Sequence, residues 1–197
     1  MRETQHIDTR IIRTHRLLKE AFLKLAEEKD LDDIGITEIC DTAMVHRATF
    51  YNHFEDKEDF IRYVVKSSIE QIITESKKQA DTDDISTFSD LLMLNFLSFA
   101  TAHKRLIMGT ISGGANGTYF YDSMYEFFRD ELKRPLVPPV KETDDLEQYE
   151  HAFCHFITGG ALSLTYWWLS GGCEYCTKEQ LVEQIKATLQ SLLDARF

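Results

Sequence analysis

Proline is scarce in this sequence: the chain of 197 residues has three prolines, Pro135, Pro138 and Pro139. Proline ends or kinks a helix, so most of the chain is free to be helical. Apolar residues recur at helical spacing over long stretches, and no segment shows the strict alternation that is typical of a half-buried strand. We therefore expect an all-α protein.

The sequence also lacks an excess of positive charge. It has 22 Lys and Arg against 33 Asp and Glu, a formal net charge of -11 and a pI near 5.1. A nucleic-acid binder with a broadly basic surface is excluded, because such binding depends on clustered Lys and Arg that displace counterions. Any contact with DNA must be local.

Long hydrophobic runs are absent as well. The N-terminus is charged from its second residue, and the longest nearly apolar run, residues 157–169, is too short to span a bilayer. These features predict a cytoplasmic protein with no membrane partner.

Cysteine is limited to four residues, and without an export signal we expect reduced thiols. Cys173 and Cys176 form a C-x-x-C, which could bind a metal or act as a dithiol, with His151 and His155 as further ligands by residue type. Ordinary thiols in a loop between helices are the simpler interpretation, so no metal and no cofactor is predicted. No Ser-His-Asp set, glycine-rich phosphate loop or close carboxylate pair points to an enzyme.

The first sixty residues have the pattern of a helix-turn-helix. An amphipathic helix over residues 9–28 precedes a short helix near 36–43 and a second short helix from His46 to Phe54. Asp56 is the predicted N-cap of a long helix that reaches about Lys78. Two short helices joined by a tight turn, with a helix packed before them, are the arrangement that places the second helix in the DNA major groove.

The second short helix has an apolar side and a polar side. At about 100° per residue, Phe50 and Phe54 face the core, whereas Asn52 and Ala48 lie on the opposite side. Asn can pair with adenine, and Ala can contact a thymine methyl group. A merely solvated helix face is the alternative for such a stretch in isolation.

Residues 36–60, "ITEICDTAMVHRATFYNHFEDKEDF", resemble the helix-turn-helix signature of the TetR/AcrR transcriptional regulators. The resemblance implies a helix-turn-helix DNA-binding domain over residues 1–55, joined by a long helix to a helical ligand-binding and dimerisation domain within 56–197. It also implies a homodimer that binds a palindromic double-stranded DNA operator, usually as a repressor, and is released by a small-molecule effector. The implied DNA contacts are Thr37, Arg47, Ala48, Thr49, Tyr51, Asn52, His53 and Lys57.

The chain departs from the family pattern at two positions. Met44 stands where the family usually has Gly, and His46 stands where it has Ser or Thr. We expect residue 44 to have positive φ, at a cost of roughly 1 kcal/mol relative to Gly. Residues 1–62 also carry ten Lys and Arg against fourteen Asp and Glu, a net charge of 10 - 14 = -4. These features leave open a protein-binding co-regulator of the same fold that does not bind an operator.

The remainder of the chain predicts further helices, including one over residues 145–170 and a last one over 178–195. The final two carry more apolar surface than one chain covers, which favours a homodimer. Gly159 and Gly160 would allow close helix packing or leave space for a ligand. The aromatic residues are numerous enough to line an effector pocket, although core packing is the simpler role for most of them. The candidate pocket residues are Phe96, Phe99, Tyr121, Tyr125, Phe153, Phe156 and Trp167.

Overall fold

The fold is helical throughout the residues that the structure, a computed structural model, describes: 9–80, 85–111, 121–126, 129 and 146–194. Within these residues there is no strand, and the predicted all-α class is confirmed. The helices are α1 (Thr9–Glu28), α2 (Ile36–Ala43), α3 (Arg47–Tyr51), α4 (Lys57–Ala80), α5 (Ile85–Ala102), α6 (Lys104–Ile111), α7 (Leu146–Leu169) and α8 (Lys178–Asp194). Short 3-10 turns lie at Leu31–Asp33 and Gly172–Glu174, and residues 121–126 form a further helical segment.

The start of α4 is capped as the sequence predicts. The Asp56 carboxylate accepts a hydrogen bond from the Asp59 backbone N–H at 2.7 Å. The Asp59 carboxylate in turn accepts one from the backbone N–H of Glu55 at 3.2 Å. The first bond satisfies a donor that an uncapped helix end would leave without a partner, and the second holds the chain just before the cap.

A first hydrophobic core holds the N-terminal helices together. It contains Phe22 of α1, Ile39 of α2 and Phe50 of α3, together with Phe60 and Ile61 from the first turns of α4. Phe22 and Phe60 meet edge to face, with ring centroids 5.6 Å apart. The base of α4 is therefore part of the core that positions α3.

A second core lies among α5, α6, α7 and α8, and α4 packs along α5. The side of α7 that faces this core carries Cys154, Thr158, Leu162, Thr165 and Leu169. Both threonine hydroxyls donate to the backbone carbonyl four residues earlier, at 2.7 Å, so their burial leaves no donor without a partner. Phe153 and Phe156, two of the candidate pocket residues, lie beside this buried face.

Two contacts fasten the end of α1 to α6. Arg105 donates from Nε to the Asp30 carboxylate at 3.0 Å and from Nη1 to the Glu28 carbonyl at 2.8 Å. Because α4 and this bridge both join the two cores, a shift of α5 or α6 would be transmitted to α1 at two points.

Candidate DNA-binding surface

Three phenylalanines fix the orientation of α3. The Phe50 ring centroid lies 5.4 Å from that of Phe54 and 5.3 Å from that of Phe60, and all three side chains are buried. With its apolar side held in this way, α3 turns its opposite side outward, as the helical arithmetic predicts.

Most of the predicted contact residues are on that outward side. Arg47, Ala48 and Asn52 are exposed, Tyr51 is 48% exposed, and Thr49 is half-buried. Thr37 is also exposed, in the first turn of the neighbouring helix α2. The structure thus brings the base-reading candidates to one surface.

Helix α3 is shorter than the predicted span from His46 to Phe54. It ends at Tyr51, and the backbone N–H groups of His53 and Phe54 both donate to the Phe50 carbonyl at 2.9 Å, which tightens the last turn. Asn52 keeps helical dihedral angles, and its N–H donates to the Ala48 carbonyl at 3.1 Å. Its side chain consequently keeps the direction that a longer helix would give it.

Two of the predicted phosphate contacts have partners within the chain. The Lys57 ammonium donates to the Leu31 carbonyl at 2.5 Å, across 26 residues of sequence. His53 is half-buried, and its ring meets the ring of His15 edge to face at 4.9 Å. Sequence reasoning gave no role to His15, whose contact with His53, just after α3, depends on how α1 packs against this segment.

His15 lies in an aromatic cluster under the surface. Its ring centroid is 4.9 Å from that of Phe54 and 4.7 Å from that of Tyr63, and its buried Nε2 makes no hydrogen bond within the chain. Burial, and then the charge of a protonated His53, lower the pKa of His15. The neutral imidazole is therefore the form that this packing favours.

The turn between α2 and α3 has the conformation that the sequence predicts. Met44 has φ 53° and ψ 41°, in the left-handed region, and its side chain is 92% exposed. The Val45 N–H donates to the Cys40 carbonyl at 2.9 Å and the Met44 N–H to the Asp41 carbonyl at 3.2 Å, the pair of bonds of a Schellman motif. His46 precedes α3 without a side-chain capping hydrogen bond, which agrees with its expected weakness as a cap.

The seven candidate effector-pocket residues do not come together. Phe96 and Phe99 line a cavity of about 20 Å³ among α1, α4, α5 and α6, with room for little more than one water molecule. Phe153 is half-buried, whereas Phe156 is 67% and Trp167 46% exposed on the outer side of α7. The last two therefore do not line an interior pocket within a single chain.

Tyr121 and Tyr125 pair with two histidines of α7. The Tyr121 hydroxyl lies 2.9 Å from Nδ1 of His155, and the Tyr125 hydroxyl is hydrogen bonded to Nδ1 of His151. The rings of Tyr125 and His155 also stack, with centroids 4.3 Å apart. The two tyrosines are four residues apart, and so are the two histidines. Because residues four apart share a helix face, this matching spacing was the signal in the sequence.

The four cysteines, all within the described residues, form no disulfide. Cys173 is exposed, and the Cys176 thiol is directed toward the Gly172 carbonyl at 3.8 Å. Among the residues that the structure describes, no three side chains of metal-ligating type gather around one point. Within the same residues, no helix combines the length and the apolar character needed to cross a bilayer.

Comparison with known proteins matches residues 18–64 to the family described as "Bacterial regulatory proteins, tetR family". The chain is 39% identical over 70 residues to YxbF of Bacillus subtilis (strain 168), an uncharacterized HTH-type transcriptional regulator; the match covers 35% of this chain and 18% of YxbF. It is 26% identical over 128 residues to the HTH-type transcriptional regulator SAB2452 of Staphylococcus aureus (strain bovine RF122 / ET3-1), over 62% of this chain and 69% of the relative.

Solved structures share the whole architecture. The fatty acid degradation regulator FadR from Bacillus halodurans aligns with a TM-score of 0.64 at 15% identity, over 89% of this chain and 93% of its own. The dihydroxyacetone kinase operon activator DhaS aligns with a TM-score of 0.62 at 17% identity, over 92% and 97% of the two chains. At these identities the likeness concerns the fold alone.

Proposed function

We propose that this chain, which belongs to the TetR family of bacterial regulatory proteins, binds a palindromic DNA operator as a homodimer and represses transcription until a small molecule binds its C-terminal domain. The observation that carries the proposal is the outward side of α3, where Ala48 and Asn52 are exposed opposite the buried Phe50 and Arg47 and Tyr51 are exposed to either side. An amide, a methyl group, a phenol and a guanidinium on one short helix match the base edges and phosphates of a major groove.

The charged residues around α3 support a contact with DNA that is limited to a small surface. Four carboxylates lie at or just before the start of α4, on Glu55, Asp56, Glu58 and Asp59, and they would repel phosphates. Lys57 is the cation among them, and in the absence of DNA its ammonium is held by the Leu31 carbonyl. The ammonium has three N–H donors, so Lys57 could also donate to a phosphate, whose charged oxygen forms the stronger hydrogen bond.

The outer side of α7 supports the homodimer. Phe156 and Trp167 are exposed there on either side of Gly160, where an added methyl group would meet no atom of the chain within 4 Å. An aromatic side chain presents about 150–250 Å², so covering the exposed part of Phe156 alone would contribute roughly 3 kcal/mol per subunit. A second copy of α7 crossing at Gly160 would cover both aromatic residues.

Effector binding at Phe96 and Phe99 would require the cavity between these residues to open. The cavity at Phe96 and Phe99 holds about 20 Å³, far below the several hundred Å³ of a typical small-molecule site. An effector that enters between α5 and α6 would push these helices apart. Since Arg105 of α6 is bonded to the end of α1, such a movement would change the position of α3 relative to DNA.

The second candidate is a co-regulator that binds another protein and no operator. It is favoured by the exposed Met44 side chain beside α3 and by the use of the Lys57 ammonium within the chain. An apolar side chain that is 92% exposed suits a protein surface better than a phosphate backbone.

A selection from random DNA duplexes separates the two candidates. Purified protein at low salt should enrich a motif with two inverted half-sites, whose centres are separated by about one helical turn or more. If no motif is enriched, while the same preparation is folded by circular dichroism, the co-regulator replaces the DNA-binding proposal.

Two variants then test the placement of α3. Asn52→Ala should relax base preference at one position in each half-site by about 1–3 kcal/mol and leave the salt dependence unchanged. Lys57→Ala should weaken all sequences alike and flatten the salt slope by about one unit per subunit, whereas Lys66→Ala, an exposed lysine further along α4, should change neither. If the Lys57→Ala protein is less stable but the salt slope of its DNA binding is unchanged, the ammonium only stabilises the turn at Leu31.

A further inference from the structure

A crevice of about 470 Å³ opens between α1, α4 and α5. Most of the residues that line it do not line the small interior cavity. It lies where the N-terminal helices meet the C-terminal domain. Its apolar wall is formed by Leu23 of α1, Ile72 of α4 and Phe99 of α5. The volume is within the range of small-molecule sites, and the wall offers a surface on which a flat or aliphatic group can pack.

Two basic groups in the crevice lack a full countercharge. The half-buried Lys19 ammonium donates to a neutral partner, the side-chain carbonyl of Gln71, at 3.3 Å. Nδ1 of His103 is buried without a hydrogen bond, because the nearest carboxylate oxygen, on Glu27, is 3.7 Å away. Burial lowers the pKa of each group, against the opposing charge of Glu70 on Lys19 and of Glu27 on His103, and the charge of Lys19 lowers the pKa of His103 further.

The other charged side chains of the crevice either have a partner of opposite charge or are exposed to solvent. Glu20 is paired with Arg16 at 3.5 Å, on the exposed side of α1. Glu75, which also lines the crevice, is exposed to solvent, where its charge is screened. Glu70 and Glu27 act on Lys19 and His103 through their charge, but among the described residues neither basic group is hydrogen bonded to a carboxylate, so a negative charge placed between them would find a donor on each.

We propose that this crevice binds a small organic carboxylate, with the carboxylate between Lys19 and His103 and the apolar part of the molecule against Leu23, Ile72 and Phe99. A carboxylate there would accept charge-assisted hydrogen bonds from both groups and would offset the cost of their burial. The site differs from the interior cavity because it is larger and is lined by charged side chains such as Lys19 and Glu75, and an occupant would contact α1 together with α4 and α5.

The test is a ligand-observed NMR titration of the full chain at neutral pH with three probes of one shape. These are 4-phenylbutyrate, its neutral amide 4-phenylbutyramide and the cationic 4-phenylbutylamine. The carboxylate should bind saturably and at least about tenfold more tightly than the amide, and the amine should bind most weakly. No saturable binding of the carboxylate, or equal binding of all three probes, would overturn the proposal.

Variants locate the bound carboxylate. Lys19→Met keeps most of the side-chain length and removes the charge, so it should weaken 4-phenylbutyrate binding about tenfold or more. Gln71→Glu should also weaken binding, because it places a carboxylate beside the Lys19 ammonium; Gln71 is exposed, so the fold should be retained. Lys24→Met, an exposed lysine of α1 outside the crevice, should bind as the unaltered protein does. Equal affinity in all three variants would place the bound molecule elsewhere and refute the proposal.

Discussion

Replacing Met44 by Gly should stabilise the protein, although Gly is normally a destabilising residue. A side chain at φ 53° clashes with its own backbone at a cost of roughly 1–2 kcal/mol. Gly removes that cost but adds about 0.5–1 kcal/mol of chain entropy in the unfolded state. The Met side chain is 92% exposed, so its loss sacrifices almost no burial. The net gain should be up to about 1 kcal/mol.

Equilibrium unfolding in urea measures this gain. For slopes of about 1–3 kcal/mol per M, a gain of 1 kcal/mol raises the midpoint by roughly 0.3–1 M, and in a melt it adds about 2–4 °C. Met44→Ala is the matched control, because it removes the same exposed side chain and keeps the strained Cβ; its stability should change by less than about 0.5 kcal/mol. A lower midpoint for Met44→Gly, or a large loss for Met44→Ala, would mean that Met44 is held by packing and that the strain argument fails.

Two further predictions concern the dimer and the aromatic cluster. Phe156→Glu should shift the chain toward monomer in sedimentation experiments, while Phe156→Leu keeps an apolar group and should remain associated; a dimeric Phe156→Glu protein would place the interface elsewhere. Because burial lowers the pKa of His15, its neutral form contributes stability that is present above the ordinary value of about 6.5 and is lost as the pH falls below it. Between pH 7.5 and 5.5, His15→Phe should therefore lose less stability than the unaltered protein, and equal losses would show that His15 is not linked to folding.

Local features of this fold were predictable because they depend on neighbours in the sequence. Helix α7 runs from Leu146 to Leu169 where the pattern predicts 145–170, and the Asp56 cap forms as expected. The positive φ of Met44 follows from the same kind of reasoning, since a tight turn between two short helices needs a left-handed residue whatever its side chain. The outward direction of Asn52 required only the helical period and the identification of Phe50 as core.

The buried face of α7 was harder to predict because two of its side chains, Thr158 and Thr165, are polar. Thr158 and Thr165 are buried and hydrogen bonded to their own helix, so a search for apolar stripes passes over the face that packs on the core. The same search selects Phe156 and Trp167, which are exposed in one chain. Apolar periodicity identifies a helix surface that must be covered. It does not show whether the helix that covers this surface belongs to the same chain or to a partner.

The role of Lys57 depends on a contact that no local pattern contains. Its ammonium reaches the Leu31 carbonyl, 26 residues earlier, and so ties the start of α4 to the turn after α1. If α3 enters a major groove as proposed, Lys57 would reach a phosphate with another of its three N–H donors or by leaving that carbonyl, and in the second case the turn at Leu31 loses a contact. Arg47, exposed at the start of α3, is a second cation of this surface. In a domain with a net charge of -4 over residues 1–62, few phosphate contacts remain, so base contacts from Asn52 and its neighbours must supply a larger share of the affinity than in a basic DNA-binding domain.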